Sequence, residues 1–269
     1  MTPDISGPTS ISGTTALVTG ASAGLGAEFA RQLAAQGCNL VLVARDRARL
    51  EEAAAGLERR YGITAEALPA DLTDDADVAA VVGRLSDPLR PVGMLVNNAG
   101  IGLLHNFEDN PVSEEKLHLK LHVETSMVLA HAALECMLDR GEGRIINVAS
   151  IAAFLPRGTY SAAKAWMVSF SRWANLAYGK QGIKVTAVCP GFTHTEFHDR
   201  MGMDKSVAPS WAWLHAERVV REGLADNVRG KAVSIPSKRY KVVAAVARIA
   251  PARLVAGPAR KPKDTRSPQ

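Results

Sequence analysis

Tyr160 and Lys164 stand four residues apart in Tyr160-Ser161-Ala162-Ala163-Lys164, at the opening of a long helical pattern. That separation sets a phenol and an ammonium one turn apart on one helix face. A phenol with its ordinary pKa of about 10 is a poor base at neutral pH. An ammonium nearby stabilises the phenolate, so the pair can pass a proton to and from a substrate alkoxide. Alone, the pattern also fits an exposed Tyr/Lys pair without chemistry. A second feature lies upstream, Thr19-Gly20-Ala21-Ser22-Ala23-Gly24-Leu25-Gly26, between an apolar run and a helical pattern over 27–36. Glycines there let the backbone approach a pyrophosphate, and the helix N-terminus offers its free N–H groups. Gly20, Ser22, Gly24, Leu25 and Gly26 are therefore candidate dinucleotide contacts, against the plainer reading that the three glycines serve helix-strand packing.

The next apolar run ends Val43-Ala44-Arg45-Asp46. An NAD site places an acid at the end of this strand, whereas an Arg receives the 2′-phosphate of NADP. Ala44 followed by Arg45 favours NADP(H) over NAD(H), with Asp46 on a ribose as the competing reading. Asp71, in Ala70-Asp71-Leu72-Thr73, reads either as an adenine contact or as a turn or capping residue. Further polar groups follow later runs: Asn97-Asn98-Ala99-Gly100, Asn147-Val148-Ala149-Ser150 and Pro190-Gly191-Phe192-Thr193-His194-Thr195. Ser150 can donate to a carbonyl oxygen that becomes an alkoxide. Pro190, Gly191, Thr193 and Thr195 can wrap the nicotinamide end, with Asn98, Ala99 and Gly100 opposite.

These groups meet only if many loop ends reach one edge. Short apolar runs at 16–19, 40–44, 65–69, 94–97, 144–148, 184–188 and 232–235 alternate with longer helical patterns, the rhythm of β-α units. Most are apolar at consecutive positions, as a sheet covered on both faces requires. The expected fold class is α/β, a doubly wound parallel sheet of the Rossmann type, which gathers ligands outside the carboxyl ends of its strands. The expected organisation is a disordered leader over 1–13, a single domain over 14–236 and a basic tail over 237–269.

With residues 19–26, 97–100, Ser150, Tyr160 with Lys164 and Pro190-Gly191 in this order, the sequence resembles the classical short-chain dehydrogenase/reductase family over about residues 14–236. The resemblance implies a seven-stranded Rossmann sheet and NAD(P)-dependent interconversion of alcohols and carbonyls. It implies Tyr160 as the acid/base, Lys164 as its pKa partner and ribose anchor, and Ser150 as the oxyanion donor. It also implies a homodimer or homotetramer built on helices around 112–139 and 160–181. Two positions depart from the family. Where the family carries a catalytic Asn before strand five, this chain has His122, in Leu121-His122-Val123-Glu124-Thr125. A histidine can hold a water or relay a proton itself; alternatively the helix is one position out of register with the family's. The interval of ten from Ser150 to Tyr160 is shorter than the family's and reshapes the substrate-side loop over 152–159.

The composition is that of a globular chain, with 269 residues, 47% hydrophobic and 22% charged, and it excludes disordered and collagenous classes. Cys38, Cys136 and Cys189 are scattered without a C-x-x-C pair, so neither a disulfide framework nor a zinc site is expected and a cytoplasmic location fits. Residues 1–15 lack a basic and apolar leader and no run of 18 apolar residues occurs, so neither a signal peptide nor a membrane span is expected. His194 and His198 flank Glu196 out of order for H-E-x-x-H, and no metal is expected.

The segment 197–230 normally caps the substrate in the family. Its Phe197, Met201, Met203, Trp211, Trp213 and Leu214 favour a hydrophobic substrate, lipid-, steroid- or retinoid-like, unless they simply pack on the body. Residues 229–269 carry eleven Lys or Arg against one acid, +10 in a chain of net +5, so 1–228 is net −5. Lys238, Lys241, Ala245 and Arg248 form one helical stripe and Val242, Val246 and Ile249 another. Such a helix suits an anionic membrane surface, or docks on the body or on a second subunit. With Tyr240 the tail's one aromatic and an acidic remainder, a nucleic-acid partner is not expected. The reading is an NADP(H)-dependent oxidoreductase that interconverts a hydrophobic ketone or aldehyde and its alcohol by hydride transfer. The alternative is a non-catalytic NADP(H)-binding sensor or scaffold, which has no need of the full Ser150, Tyr160 and Lys164 set.

Overall fold

The apolar runs become strands where the sequence places them. The computed structural model describes residues 11–103, 105–196 and 209–251. Its strands are β1 (Thr15–Thr19), β2 (Asn39–Ala44), β3 (Ala65–Pro69), β4 (Met94–Asn97), β5 (Gly143–Val148), β6 (Ile183–Val188), β7 (Thr193–His194), β8 (Leu214–His215) and β9 (Val233–Ser234). Seven of them form one sheet in the order β3-β2-β1-β4-β5-β6-β9, every pairing parallel. β7 and β8 pair separately, with His194 opposite His215. Strand order reverses between β1 and β4, and such a switch point opens a crevice at the carboxyl edge.

Alternate residues of one strand feed two cores. Ala16 and Val18 of β1, with Leu40 and Leu42 of β2, join Phe29 and Leu33 on one face. Leu17, Val41 and Val43 join Leu129, Met137 and Ile145 on the other. This two-sided burial is why the strands read as continuous apolar runs. The covering helices are α1 (Gly24–Ala35), α2 (Arg47–Tyr61), α3 (Asp75–Leu85), α4 (Val112–Leu119), α5 (Ser126–Arg140), α6 (Gly158–Tyr178), α7 (Ala216–Val228) and α8 (Lys238–Ile249). Asp46 and Asp74 cap α2 and α3 by accepting from Arg49 N and from Ala76 and Asp77 N. The acid run after Asp71 is thus a helix start. Between α4 and α5 the helix widens into a π-helical turn, Lys120–Thr125, a feature frequent at functional sites.

Packing extends past both expected ends of the domain. Ile11, inside the expected leader, is buried in the first core, and Thr14 Oγ1 donates to its carbonyl at 2.6 Å. Tyr240 joins the same core, so α8 is docked on the body instead of forming a separate tail. It docks through Tyr240 and Ala244, whereas Val242, Val246 and Ile249, the stripe for which docking was one of two readings, are exposed. Residues 1–10, the low-complexity stretch 257–269, and Phe197, His198, Met201 and Met203 lie outside the described residues. All three cysteines are free. Among the described residues no helix is long and apolar enough to cross a membrane.

Candidate active site

A cleft of about 900 Å³ lies along the carboxyl edge of the sheet. It is lined by Gly20, Ser22, Gly24, Leu25, Arg45, Asp71, Asn98, Ala99, Gly100, His122, Ser150, Tyr160, Lys164, Pro190, Gly191, Thr193 and Thr195. Trp211, Trp213 and Leu214 of the expected substrate cap lie outside this lining. Of the expected catalytic and cofactor-binding residues, Gly26 alone stands back from it. Its role is packing: a Cβ there would lie 2.1 Å from Gly20 O, so no side chain fits where α1 crosses the loop. Gly20 and Gly24 hold φ of +65° and +56°, which favours glycine at both. α1 has no side-chain cap and no acid in its first turn. Its leading N–H groups and positive dipole end therefore suit an anion. Asn98 Nδ2 donates to Thr19 O at 2.8 Å, and Thr19 Oγ1 accepts from Asn98 N and Ala99 N at 2.9 and 3.0 Å. β4 and the glycine loop are thereby locked together.

At the end of the cleft beside β2 and β3, Arg45 lines the wall with Asp71. The Asp71 carboxylate accepts from Thr73 Oγ1 and N at 2.7 and 3.0 Å. The Thr73 hydroxyl bond lowers its pKa, with the Arg45 charge a smaller contributor; Asp71 thus serves its turn, one of the two readings weighed for it, while also lining the cleft. Asp46 serves α2 as its cap. Arg49, which the sequence did not mark, also stands here: its Nη2 donates to Glu196 Oε1 at 2.6 Å, bridging α2 to the strand β7 loop and giving Glu196 an ion pair in place of the metal role weighed for it. Their separation of 147 positions left no local signal.

The catalytic candidates gather at the other end. Burial pushes the Tyr160 phenol up to about 12, opposed by a hydrogen bond with the Ser150 side chain. Ser150 Oγ also accepts from Ala152 N at 3.1 Å, which fixes its orientation. Lys164 Nζ donates to Val148 O at 2.7 Å and stands 5.8 Å from the centre of the Tyr160 ring. Burial brings Lys164 down to about 7. The acidified phenol expected from the spacing is therefore not what this geometry holds: the ammonium is turned onto β5 and desolvation governs both groups. His122 does face the site. Its Nε2 lies 2.8 Å from Ile101 O and 3.1 Å from Ile101 N, and its ring is 5.9 Å from that of Tyr160.

Tyr240 is the largest omission of the sequence reading. Its hydroxyl donates to Ala212 O at 2.8 Å and accepts from Phe192 N at 3.2 Å, and a Cβ on Gly191 would lie 2.0 Å from its ring. The supposed tail thus braces the loop after β6. Thr195 in that loop lies against Gly24, whose added Cβ would come within 3.3 Å of Thr195 Cβ. Toward the substrate side, His194 stacks on Trp213 at 5.0 Å and approaches His215 at 5.6 Å. Among the described residues no three His, Cys, Asp or Glu gather as a metal site.

The sequence pattern described as short chain dehydrogenase matches residues 14–206. The chain belongs to the short-chain dehydrogenase family. Ketoacyl reductase HetN of a Nostoc species is 30% identical over 84% of this chain and 79% of its own length. A short-chain dehydrogenase from Sphingobium yanoikuyae, solved in complex with NADPH, is 33% identical with a TM-score of 0.80, over 94% of this chain and all of that one. The bulky-bulky ketone specific alcohol dehydrogenase from Comamonas testosteroni is 30% identical with a TM-score of 0.76, over 92% and 95% of the two chains. As a short-chain dehydrogenase the protein is an NAD(P)-dependent oxidoreductase of CH–OH groups. The glycine cradle and uncapped α1 fit a dinucleotide, with Arg45 at one end and Tyr160, Ser150 and Lys164 at the other.

Proposed function

We propose that the protein interconverts a hydrophobic ketone or aldehyde and its alcohol, using NADP(H) in preference to NAD(H). The observation that carries this is one cleft holding a phosphate cradle, a cation at the end of β2 and a Ser150/Tyr160 hydroxyl pair. When bound, the nicotinamide supplies or takes up hydride. Gly20, Ser22, Gly24 and Leu25 hold the pyrophosphate at the α1 N-terminus, and Arg45 meets the 2′-phosphate. Asn98, Ala99, Gly100, Pro190, Gly191, Thr193 and Thr195 frame the nicotinamide end. The Ser150 hydroxyl orients the substrate oxygen. Tyr160, neutral at physiological pH, gives its proton to the nascent alkoxide in reduction and takes it back in oxidation. Lys164, freed from Val148 O, anchors the ribose and steadies the phenolate formed in that step. Ile101, Leu117 and Leu121 in the cleft lining, and the ketone preference in the name of the Comamonas relative, support a hydrophobic substrate. Following absorbance of the reduced nicotinamide with apolar ketones and with polyols, each with NADPH and NADH, tests the reading. Apolar ketones with NADPH should be fastest; faster turnover with polyols or NADH overturns that part of it.

Two surfaces suit further partners of a protein we place in the cytoplasm. Met127 on α5 and Trp173 and Leu176 on α6 are exposed, at 46%, 54% and 81%, and suit pairing with a second copy into a homodimer or homotetramer. On α8, Val242, Val246 and Ile249 face outward beside Lys238, Lys241 and a strongly basic following sequence, a pattern suited to peripheral contact with an anionic membrane.

A further inference from the structure

Arg49 and Glu196 both line the cleft and meet across it. Arg49 stands in the first turn of α2, where its backbone N–H reaches Asp46 Oδ1 at 3.1 Å. Glu196 directly follows Thr195, in the loop behind β7. The two side chains join as a fork on a fork, with Nη2 donating to Oε1 at 2.6 Å and Nη1 to Oε2 at 3.4 Å. Both ends stand on fixed ground. Asp46 caps α2. On the other side β7 pairs with β8, Thr193 Oγ1 donates to Gly191 O at 3.0 Å, and the Tyr240 hydroxyl holds Phe192 N. The bridge can therefore open by rotation of two side chains, with no strand or helix displaced.

At 44% and 45% side-chain exposure the pair contributes little to holding the fold, although its two-pronged geometry is the favourable one for an exposed pair. Its place is what gives it a task. Gly24 opens α1, and a Cβ added there would come within 3.3 Å of Thr195 Cβ, so the loop bearing Glu196 rises at the α1 N-terminus. A ligand reaching from Arg45, beside β2, to Tyr160, on α6, crosses that N-terminus and with it the line from Arg49 to Glu196. Charge points the same way. A carboxylate on the wall of a cleft that receives a pyrophosphate opposes it, and Arg49 cancels that charge. The Glu196 bond raises the Arg49 pKa, with Asp46 a smaller contributor, so the guanidinium stays charged. Uncharged residues at both positions would avoid the acid altogether if the pair did nothing for the ligand.

We propose that Arg49 and Glu196 form a strap over the dinucleotide cleft, which opens to admit the coenzyme, closes across it and sets how fast it leaves. This rests on the cleft being the NAD(P)(H) site. The strap joins side chain to side chain and does not read the 2′-phosphate, so it acts on NADPH and NADH alike, unlike Arg45. Glu196 aids retention only while Arg49 neutralises it. Without Arg49 it is an uncompensated acid beside the pyrophosphate. Loss of Arg49 is therefore worse than loss of Glu196, and loss of both is milder than loss of Arg49 alone.

Stopped flow reads the release directly: NADPH or NADH is chased from the full chain with excess oxidised coenzyme while nicotinamide fluorescence is followed, and equilibrium titration gives Kd. Glu196→Gln should release both coenzymes about two- to fivefold faster than the wild type. Added salt screens the pair, so it should speed release from the wild type more than from Glu196→Gln. Arg49→Gln should raise both Kd values more than Glu196→Gln does, and Arg49→Gln/Glu196→Gln should bind more tightly than Arg49→Gln, a coupling that independent sites do not show. A double variant whose losses simply add overturns the strap. So does a loss in Arg49→Gln confined to NADPH with NADH release unchanged, which makes Arg49 a plain phosphate ligand. A wild type that binds neither coenzyme overturns the assignment of the cleft and the strap with it, whereas wild-type binding with equal release rates in Glu196→Gln overturns the strap alone.

Discussion

At the scale of single residues, the chemistry hangs on groups whose environments oppose their usual charge states. Tyr160 is pushed up to about 12 and Lys164 brought down to about 7, both by burial. Replacing Tyr160 by Phe removes the transferable proton while keeping the ring, so turnover should fall by roughly 10²–10⁴, with NADPH affinity by fluorescence titration nearly unchanged. Arg45→Ala removes the cation from the adenosine end, and a charge-assisted bond of about 1.5–3 kcal/mol corresponds to a roughly ten- to hundredfold weaker NADPH Kd. NADH affinity should hardly move. His118, brought down to about 4 by burial from an ordinary 6.5, gives a pH signature. Between those two values the unfolded chain binds a proton the folded chain refuses, so stability rises with pH across that window and falls on acidification. Chemical denaturation from pH 4 to 6.5 should show a shallower slope in His118→Phe than in the wild type. Tyr160, Lys164, Ser150 and the glycine loop were legible in the sequence because each belongs to a short pattern with fixed spacing. Arg49, Tyr240 and the ion-pair role of Glu196 were not, because their partners lie far along the chain and only folding brings them together.

At the scale of elements, the central strands β1, β2, β4, β5 and β6 were readable because burial on two faces writes itself as a largely continuous apolar run. The π-helical turn carrying His122 leaves no such mark, since one extra residue in a helical turn changes no composition. α8 misled for a different reason. Its apolar residues occupy two stripes, and the sequence gives no sign that the stripe with Tyr240 and Ala244 docks while that with Val242 and Val246 faces outward. Docking through Tyr240 predicts that Tyr240→Phe, which leaves Ala212 O and Phe192 N without their shared partner, costs about 1 kcal/mol of stability. It should also raise the KM for the cofactor more than that for the ketone. At the glycine loop, Gly26→Ala places a methyl on Gly20 O. Overpacking of about 1–3 kcal/mol should appear as a lowered Tm together with loss of NADPH binding.

At the scale of the whole molecule, charge is divided between an acidic body and a basic C-terminal region, and apolar side chains stand exposed on both α6 and α8. If α8 meets an anionic surface, sedimentation with phosphatidylserine vesicles should exceed that with phosphatidylcholine vesicles. The excess should shrink as salt screens the basic residues and disappear in Val242→Glu/Ile249→Glu. Trp173→Glu should leave vesicle binding intact and shift the sedimentation coefficient toward the monomer. Length and patterning alone had already bounded the architecture; which outward faces meet a partner was never written there, because an apolar face looks alike in sequence whether covered or bare. The contact between Gly191 and Tyr240 bears on how this chain can diverge. The missing side chain of one is the seat of the other, so position 191 is not free to enlarge first. A larger residue at 191 becomes tolerable only in a lineage that has already given up the aromatic ring 49 positions downstream, and such a lineage has by then loosened its coenzyme loop. The order of change across descendants should therefore be fixed, position 240 before position 191.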